Sequence, residues 1–365
     1  MDEPRQIKVL VIDDSAYNRR AVSGFLEEVD GVEVVGKASD GQEGLQLALT
    51  EQPDVITLDL EMPRMDGFSF LRLLMARRPT PVIVISSHAE KENVFRALEL
   101  GALDFVAKPT KRISPQIQDI REQVVRKVLL AKNLKREALK PLPQYAKEPE
   151  QEGGRFSTIR VALPRQIVPE EQPQASRVVV MAASTGGPAA ITRVLTSLSS
   201  ELESSIIIAQ HMPPRFTTTF AERLDRQCAL RVVEVSRPMP VRNGWVFLAP
   251  GDRCVELVPG TSGMSVRPVA PDQSDRYIPS ADRLFTSAAI CARKEALAIV
   301  LTGMGDDGKA GVQAISESGG LVVVESEETA VVGGMPHSAI ATGTVARVER
   351  LERLADLIQA FSKGY

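Results

Sequence analysis

Short, continuous apolar runs alternate with amphipathic segments over the first 125 residues. The runs are IKVLVI, VEVVGKA, VITLDL, VIVIS and DFVA, and intervening segments such as AYNRRAVSGFLEEV and FSFLRLLMARR have apolar residues at helical spacing. Continuous apolar strands separated by amphipathic helices are typical of a parallel sheet that is covered on both faces. We therefore predict a doubly wound, parallel α/β domain over residues 1–125.

A second set of apolar runs begins at about residue 176 and continues to the end of the chain. RVVVMAA, SIIIAQ and EALAIVLTG are each followed by a glycine- or proline-containing turn, and helical periodicity resumes in AAITRVLTSL and AGVQAISES. This pattern predicts a second, Rossmann-like α/β domain over residues 176–365. The stretch WVFLAPGDRCVELVPGTSGMSVRPV has strand-like pieces and turns, and we predict a hairpin at the edge of the sheet.

The segment between these domains, residues 126–175, has a different composition. Val124, Val128 and Leu134 continue a helical spacing, which predicts that the last helix of the front domain extends into this segment. Proline, glutamine, glutamate and glycine then predominate and the periodicity is lost. We therefore predict a helix extension followed by a flexible linker.

Bulk composition argues against nucleic-acid-binding and membrane proteins. A chain of 365 residues is long enough for two domains, and 43% apolar with 25% charged residues is usual for globular protein. The net charge of −3 gives no electrostatic reason to bind nucleic acid or an anionic membrane. No apolar run reaches the roughly 20 residues of a membrane-spanning helix, and MDEPRQIKV does not resemble a signal peptide.

The cysteines indicate a reducing compartment. Cys228, Cys254 and Cys291 are widely separated and form no C-x-x-C pair, which argues against a disulfide framework or a zinc site. We therefore expect a cytoplasmic protein that neither binds nucleic acid nor inserts into the membrane.

Acidic residues and a lysine occupy the ends of the predicted front strands. Asp13 and Asp14 follow the first run, Asp59 lies near the end of the third, Ser86 ends the fourth, and Lys108 follows the fifth. Each could be an ordinary helix cap or loop residue. Because the carboxyl ends of parallel strands meet at one edge of the sheet, the set together predicts a site for Mg²⁺ and a phosphoryl group.

This front domain resembles the receiver domain of two-component response regulators. The resemblance implies a flavodoxin-like fold, phosphorylation that requires Mg²⁺, and a sensor histidine kinase as the phosphodonor. It also implies residue roles: Asp13, Asp14 and Asp59 as metal ligands, Asp59 as phosphoacceptor, and Ser86, Phe105 and Lys108 as switch residues.

Candidate chemistry in the rear domain also follows predicted strands. Ser184 lies in STGGP, His211 in HMPP and Asp307 in GMGDDG, each just past an apolar run. The strand-end rule places them at one crevice, where they could act as nucleophile, base and orienting acid. The chain order Ser…His…Asp and the absence of G-x-S-x-G differ from α/β-hydrolases, chymotrypsin and subtilisin.

Residue patterns alone leave alternatives open for this triad. Ser184 and Asp307 could be unreactive helix caps, and His211 could be a hydrogen-bonded loop residue. The STGG turn could instead hold a phosphate, although it matches neither the Walker spacing nor G-x-G-x-x-G. His88 and His337 are weaker candidates, because the first lies in the front domain and the second in a predicted turn.

The motifs of the rear domain resemble those of the chemotaxis receptor methylesterases, response regulators that remove methyl groups from chemoreceptor glutamates. They are AASTGGP, AQHMPPRFTTTFAERLD, FLAPGD, PSADRLF, LTGMGDDG and GGMPHSAI. The resemblance implies these residue roles: Ser184 as nucleophile, His211 as base, Asp307 rather than the adjacent Asp306 as acid, and the backbone N–H groups of Thr185 and Met304 at the oxyanion site.

The resemblance further implies hydrolysis of glutamyl methyl esters on chemoreceptors, together with deamidation of receptor glutamines, in sensory adaptation. The esterase chemistry would need no cofactor, and phosphorylation of the receiver would activate it. Four positions depart from the usual family residues, and they bear on substrate contacts: Ala182, Cys254, Tyr277 and Gly333. Competing functions are a binding-only output, a transcription factor, and a peptidase or general esterase.

Overall fold

The structure, a computed structural model, describes residues 6–86, 91–108, 116–130, 134, 171–261 and 263–364. The chain divides into two compact units, Met1–Lys147 and Glu148–Tyr365. Most of the predicted helix extension and linker, residues 126–175, lies outside the described residues. In the part of the chain that is described, no helix has both the length and the apolar character to cross a membrane.

The front unit is a parallel sheet with helices between successive strands, as predicted. Its strands are β1 Ile7–Ile12, β2 Val32–Ala38, β3 Val55–Leu58, β4 Val82–Ser86 and β5 Asp104–Ala107. Its helices are α1 Ala16–Glu27, α2 Gly41–Glu51, α3 Gly67–Arg77, α4 Lys91–Glu99 and α5 Gln116–Leu130. The strand order β2-β1-β3-β4-β5 brings the ends of β1 and β3 side by side.

Local sequence signals fix the helix starts in this unit. The side chains of Ser15, Asp40 and Asp66 accept hydrogen bonds from the free backbone N–H groups of the helices that follow them. β3 and β4 are buried along their whole length, which explains their continuous apolar sequences.

The rear unit contains a larger parallel sheet and a small antiparallel one. Its strands are β6 Arg177–Ala183, β7 Ser204–Gln210, β8 Arg231–Glu234, β9 Met239–Pro240, β10 Trp245–Leu248, β11 Cys254–Pro259, β12 Met264–Val269, β13 Ala296–Val300, β14 Leu321–Glu325 and β15 Arg347–Glu349. Its helices are α6 Gly187–Thr196, α7 Phe216–Gln227, α8 Ala281–Ala292, α9 Lys309–Glu317, α10 Gly334–Ile340 and α11 Leu351–Ser362, with a 3₁₀ turn at Arg293–Glu295.

The large sheet has the strand order β15-β14-β13-β6-β7-β10-β8, and its neighbouring strands are all parallel. On one side of β6 lie β7, β10 and β8, and on the other side lie β13, β14 and β15. The direction of winding therefore reverses beside β6. This reversal opens a crevice at the carboxyl ends of β7, β6 and β13.

The predicted edge hairpin is only partly correct. β11 and β12 pair as an antiparallel hairpin, but they join β9 in a separate sheet, whereas β10 lies inside the large sheet between β7 and β8. The four residues of β10 are all buried, and a short buried parallel strand has the same continuous apolar pattern as a hairpin strand.

The predicted turn around His337 is wrong, because this residue lies within α10. The expectation came from the glycine and proline residues in GGMPHSAI. Pro336 occupies the first turn of the helix, where a missing backbone N–H does not interrupt the hydrogen-bond ladder.

Candidate active site and phosphoacceptor site

Ser184 and His211 each lie one residue beyond a strand of the large sheet. Ala183 and Gln210 are paired in register at the ends of β6 and β7, and the His211 N–H donates to the Ala183 carbonyl over 3.0 Å. The Ser184 N–H donates to the Thr302 carbonyl over 3.1 Å. Backbone hydrogen bonds therefore tie the serine turn to both neighbouring strand ends.

The side chain of Gln210 strengthens this junction. Its Nε2 donates to the carbonyl oxygens of Ser184, over 2.9 Å, and of His211, over 3.0 Å. The residue is buried, and nothing in the sequence distinguished it from an ordinary residue at the end of a strand.

Two glycines allow the serine turn to pack tightly. Gly186, the residue before α6, has φ +80, a backbone conformation that L side chains rarely adopt. A Cβ on Gly303 would lie 2.9 Å from the Ser184 Cβ, so this position cannot carry a side chain without moving the serine. Ser184 itself is half-buried, and its hydroxyl has no hydrogen-bond partner in the described residues.

His211 meets Asp307 at the same rim. The Nε2 of the imidazole lies 2.7 Å from Asp307 Oδ2, and the Asp307 side chain is 1% exposed. The carboxylate also accepts backbone N–H groups from Ala281 at 2.8 Å, Asp282 at 3.1 Å and Gly308 at 3.0 Å. These bonds place it at the start of α8, where the helix dipole favours negative charge.

The hydrogen bonds that Asp307 accepts determine the tautomer of His211. A carboxylate that accepts three N–H groups offers only an acceptor to the imidazole, so Nε2 carries the proton. Nδ1 therefore keeps its lone pair and can receive a proton from a hydroxyl group. This arrangement suits a general base beside Ser184.

Asp306, the competing acid, has different partners. Its Oδ1 accepts from the Tyr277 hydroxyl over 2.9 Å, and its Oδ2 lies 3.2 Å from Arg276. The hydrogen bond from Tyr277, with help from Arg276, holds the pKa of Asp306 below its ordinary value. The His211 imidazole thus donates its hydrogen bond to the second aspartate of the pair.

Tyr277 also packs directly on His211. The two rings are stacked with centroids 5.1 Å apart and planes inclined by 3°. From the sequence, Tyr277 is only one of four departures from the usual family residues, and this contact was not predicted. Tyr277 and His211 are 66 positions apart in the chain (277 − 211), so no local sequence pattern indicates the stacking.

The other departures lie around the crevice or in the core. Ala182 is buried in β6, and Cys254 is buried at the start of β11. A Cβ on Gly333 would lie 2.9 Å from the His337 ring, so a larger side chain at this position would require that ring to move.

The two residues predicted at the oxyanion site lie on either side of the serine. Thr185 is buried, and its carbonyl oxygen accepts from Thr302 Oγ1 over 3.0 Å. Met304 follows Gly303, the residue packed against Ser184. The backbone of both residues therefore lies near Ser184, and their role at an oxyanion site stays a prediction.

Of the histidines that the structure describes, His337 is not part of this group. His337 has a side chain 58% exposed and lies 3.9 Å from Glu327. His88 falls outside the described residues.

The front unit brings together its predicted carboxylates and lysine. Three carboxylate oxygens lie within 4.8 Å of one another, one each from Asp13, Asp14 and Asp59. Lys108 Nζ is 2.6 Å from Asp59 Oδ2 and 3.2 Å from Asp13 Oδ2. An oxygen-rich cluster of this kind fits a hard divalent cation.

The electrostatics of this cluster are those of a buried charged site. Burial, only partly offset by Lys108, raises the pKa of Asp59 to about 6. Burial would lower the pKa of Lys108, but the Asp59 and Asp13 carboxylates outweigh that effect and raise it. The lysine therefore stays charged beside the predicted phosphoacceptor.

The two other predicted switch residues lie on adjacent strands. Ser86 is buried at the end of β4, and its carbonyl oxygen accepts from the Lys108 N–H over 2.7 Å. Phe105 is buried on β5, paired in register with Val84.

Known protein families match both units of the chain. The family described as CheB methylesterase matches residues 179–358, and the response regulator receiver domain matches residues 9–117. The two matches cover the two sheets separately.

Full-length relatives carry both parts together. A protein-glutamate methylesterase/protein-glutamine glutaminase of Geobacter sulfurreducens is 45% identical over 97% of this chain and 97% of its own length. The chain belongs to this family of methylesterases/glutaminases. Similarly named proteins of Anaeromyxobacter dehalogenans and Myxococcus xanthus are 44% and 43% identical, each over 98% of this chain and 97% of its own length.

The two adjacent aspartates provide a test of the geometry. We expect Asp307→Asn to lower the kcat for hydrolysis of a reactive aryl ester by on the order of 10³-fold, because an amide can present its N–H to Nε2 and favour the wrong tautomer. Asp306→Asn is the matched control and should retain activity within a few-fold. A larger loss in Asp306→Asn than in Asp307→Asn would contradict this assignment.

Proposed function

We propose that this chain is a phosphorylation-activated hydrolase that removes methyl esters from the glutamate side chains of chemoreceptors, and that it also deamidates receptor glutamines. Ser184, His211 and Asp307 would form its catalytic triad. The observation that carries the proposal is the 2.7 Å bond between His211 and Asp307 at the strand ends where Ser184 lies. Family membership supports the substrate class, since the relatives are named for both activities.

The chemistry follows from the tautomer of His211. As Ser184 Oγ attacks the γ-carbonyl carbon of the ester, Nδ1 takes the hydroxyl proton and Asp307 stabilises the resulting imidazolium. The backbone N–H groups of Thr185 and Met304 would hold the oxyanion, at a typical contribution of about 3 kcal/mol per donor. The imidazolium then returns the proton to the departing methoxide.

The second half-reaction restores the enzyme. His211 removes a proton from water, the hydroxide attacks the acyl carbon, and the Ser184 oxygen leaves with that proton. A glutamine side chain enters the same sequence with ammonia as the leaving group. The esterase chemistry therefore uses only residues of the chain.

The front unit would regulate this reaction. We propose Asp59 as the phosphoacceptor and a sensor histidine kinase as donor, with Asp13, Asp14 and Asp59 as ligands for Mg²⁺. The cation, when bound, would offset the negative charge of the incoming phosphoryl group. Lys108 would pair with the phosphoryl oxygens, and Ser86 and Phe105 would respond to the new charge on Asp59.

The proposed organisation keeps the two activities in separate domains. Residues 1–125 would form the receiver, residues 126–175 the helix extension and linker, and residues 176–365 the catalytic domain. Chemoreceptor cytoplasmic regions would be the partners, which places the enzyme in the cytoplasm.

Removal of the nucleophile tests the catalytic assignment. Methanol release from methylated receptor membranes should fall to background in Ser184→Ala, because this change removes the oxygen that would form the acyl-enzyme. Ser197→Ala is a matched control, since its hydroxyl lies at the exposed end of α6 and bonds only to the Arg193 carbonyl. Methanol release at the normal rate by Ser184→Ala would refute the proposed triad.

Substitution of the phosphoacceptor tests the regulation. Asp59→Asn should keep the basal rate of methanol release but lose its stimulation by a small acyl phosphate and Mg²⁺. Asp30→Asn, at an exposed position of the same unit, should keep that stimulation. Equal stimulation in Asp59→Asn and in the unmodified protein would exclude Asp59 as the phosphoacceptor.

A further inference from the structure

Glu325 is a buried carboxyl group that the proposed mechanism does not use. It is the last residue of β14 and is 0% exposed. Its Oε2 accepts the backbone N–H of Thr302 over 2.8 Å. Burying a carboxyl group costs more free energy than burying an apolar side chain of similar size.

Thr302 joins this carboxyl group to the serine turn. The Thr302 carbonyl accepts the Ser184 N–H over 3.1 Å, and its Oγ1 donates to the Thr185 carbonyl over 3.0 Å. The same hydroxyl accepts the Val332 N–H over 2.9 Å. Thr302 therefore holds both residues of the turn that carries the nucleophile.

The side chain of Glu325 thus anchors a chain of contacts that ends at the reacting group. Glu325 and Thr302 are both buried, so the hydrogen bond between them is shielded from water and is stronger than the same bond at the surface. A shift of Thr302 would move the Ser184 backbone directly, because the two residues share a hydrogen bond.

We propose that Glu325 is a positioning residue for catalysis: through Thr302 it fixes the turn that presents the Ser184 hydroxyl and the Thr185 N–H to the substrate carbonyl. Glu325 touches no substrate atom itself. The inference rests on the proposed role of Ser184 as nucleophile.

Charged groups on two helices act on Glu325. Arg193 of α6 and Glu352 of α11 are the charged groups whose fields act on it, and burial raises its pKa to about 7. Arg193 belongs to the helix that begins at the serine turn.

A purely structural role would give a different result from a positioning role. Loss of a structural contact lowers the amount of folded enzyme but leaves the kcat of each folded molecule unchanged. Loss of a positioning contact lowers the kcat per active site, because a displacement of the nucleophile by about 1 Å can cost on the order of 100-fold in rate.

The experiment compares variants of the full-length protein by methanol release from methylated receptor membranes. Active sites are counted by stoichiometric labelling with a serine-reactive phosphonate. Glu325→Leu should lower kcat per active site by about 10-fold or more with KM changed less than about 3-fold. Glu325→Gln keeps an acceptor for the Thr302 N–H and should restore kcat to within about 3-fold of the original.

Two further variants complete the design. Val323→Ala removes buried apolar atoms from the same strand and should lower thermal stability without changing kcat per active site. Thr302→Val, which lacks the hydroxyl bonded to the Thr185 carbonyl, should lower kcat. Its effect should be less than multiplicative with that of Glu325→Leu, because both act on one turn.

Unchanged kcat per active site in Glu325→Leu would overturn the proposal. If Glu325→Leu does not fold, unchanged kcat in Thr302→Val would overturn it equally. Equal losses in Glu325→Gln and Glu325→Leu would also overturn it, since the retained acceptor would then have no effect. The same assay distinguishes failure of the proposed function itself. In that case Ser184→Ala would release methanol at the normal rate.

Discussion

The candidate active site depends on the side-by-side parallel pairing of β7, β6 and β13. This pairing brings His211, Ser184 and the segment before Asp307 to one rim, although the serine and the aspartate are 123 positions apart, 307 − 184. Hydrophobic burial of the strands supplies the free energy that holds the register, and the polar residues at their ends take their positions from it. A slip of the β6–β7 pairing by one residue would separate the imidazole from the serine turn, and a slip of the β6–β13 pairing would displace the segment before Asp307.

The two units use the same rule for different chemistry. In the front unit, parallel strand ends gather carboxylates and one lysine, which suits a cation and a phosphoryl group. In the rear unit, they gather a hydroxyl group, an imidazole and a carboxylate that is held by three backbone N–H groups. The fold therefore sets where chemistry can occur, and the residue types at the strand ends determine which chemistry it is.

The strand-end rule explains why much of both sites was predictable from sequence. Asp59 and Ser184 each follow an unmistakable apolar run, so their location required only the recognition of a parallel sheet. The preference for Asp307 over Asp306 came from the family motif and not from physical reasoning. The structure adds the physical difference, since only Asp307 reaches the start of α8 and the His211 ring.

Contacts that join distant loops were not predictable in this way. Tyr277 reaches His211 from the loop before α8, and Glu325 reaches Thr302 across β14 and β13, with no periodicity to connect them. The same limit explains the error at β10. Its four apolar residues fit an edge hairpin and a buried parallel strand equally well, and only the pairing with β7 and β8 decides between them.

The most direct test of the central claim is the reactivity of Ser184 itself. The protein would be treated with a serine-reactive phosphonate, and the modified residue and its labelling rate determined by mass spectrometry in the unmodified chain and in His211→Ala. We expect a single adduct on Ser184, formed at least 100-fold more slowly when the imidazole is absent. Labelling of Ser184 at the same rate without His211, or an adduct on another residue in its place, would contradict the account.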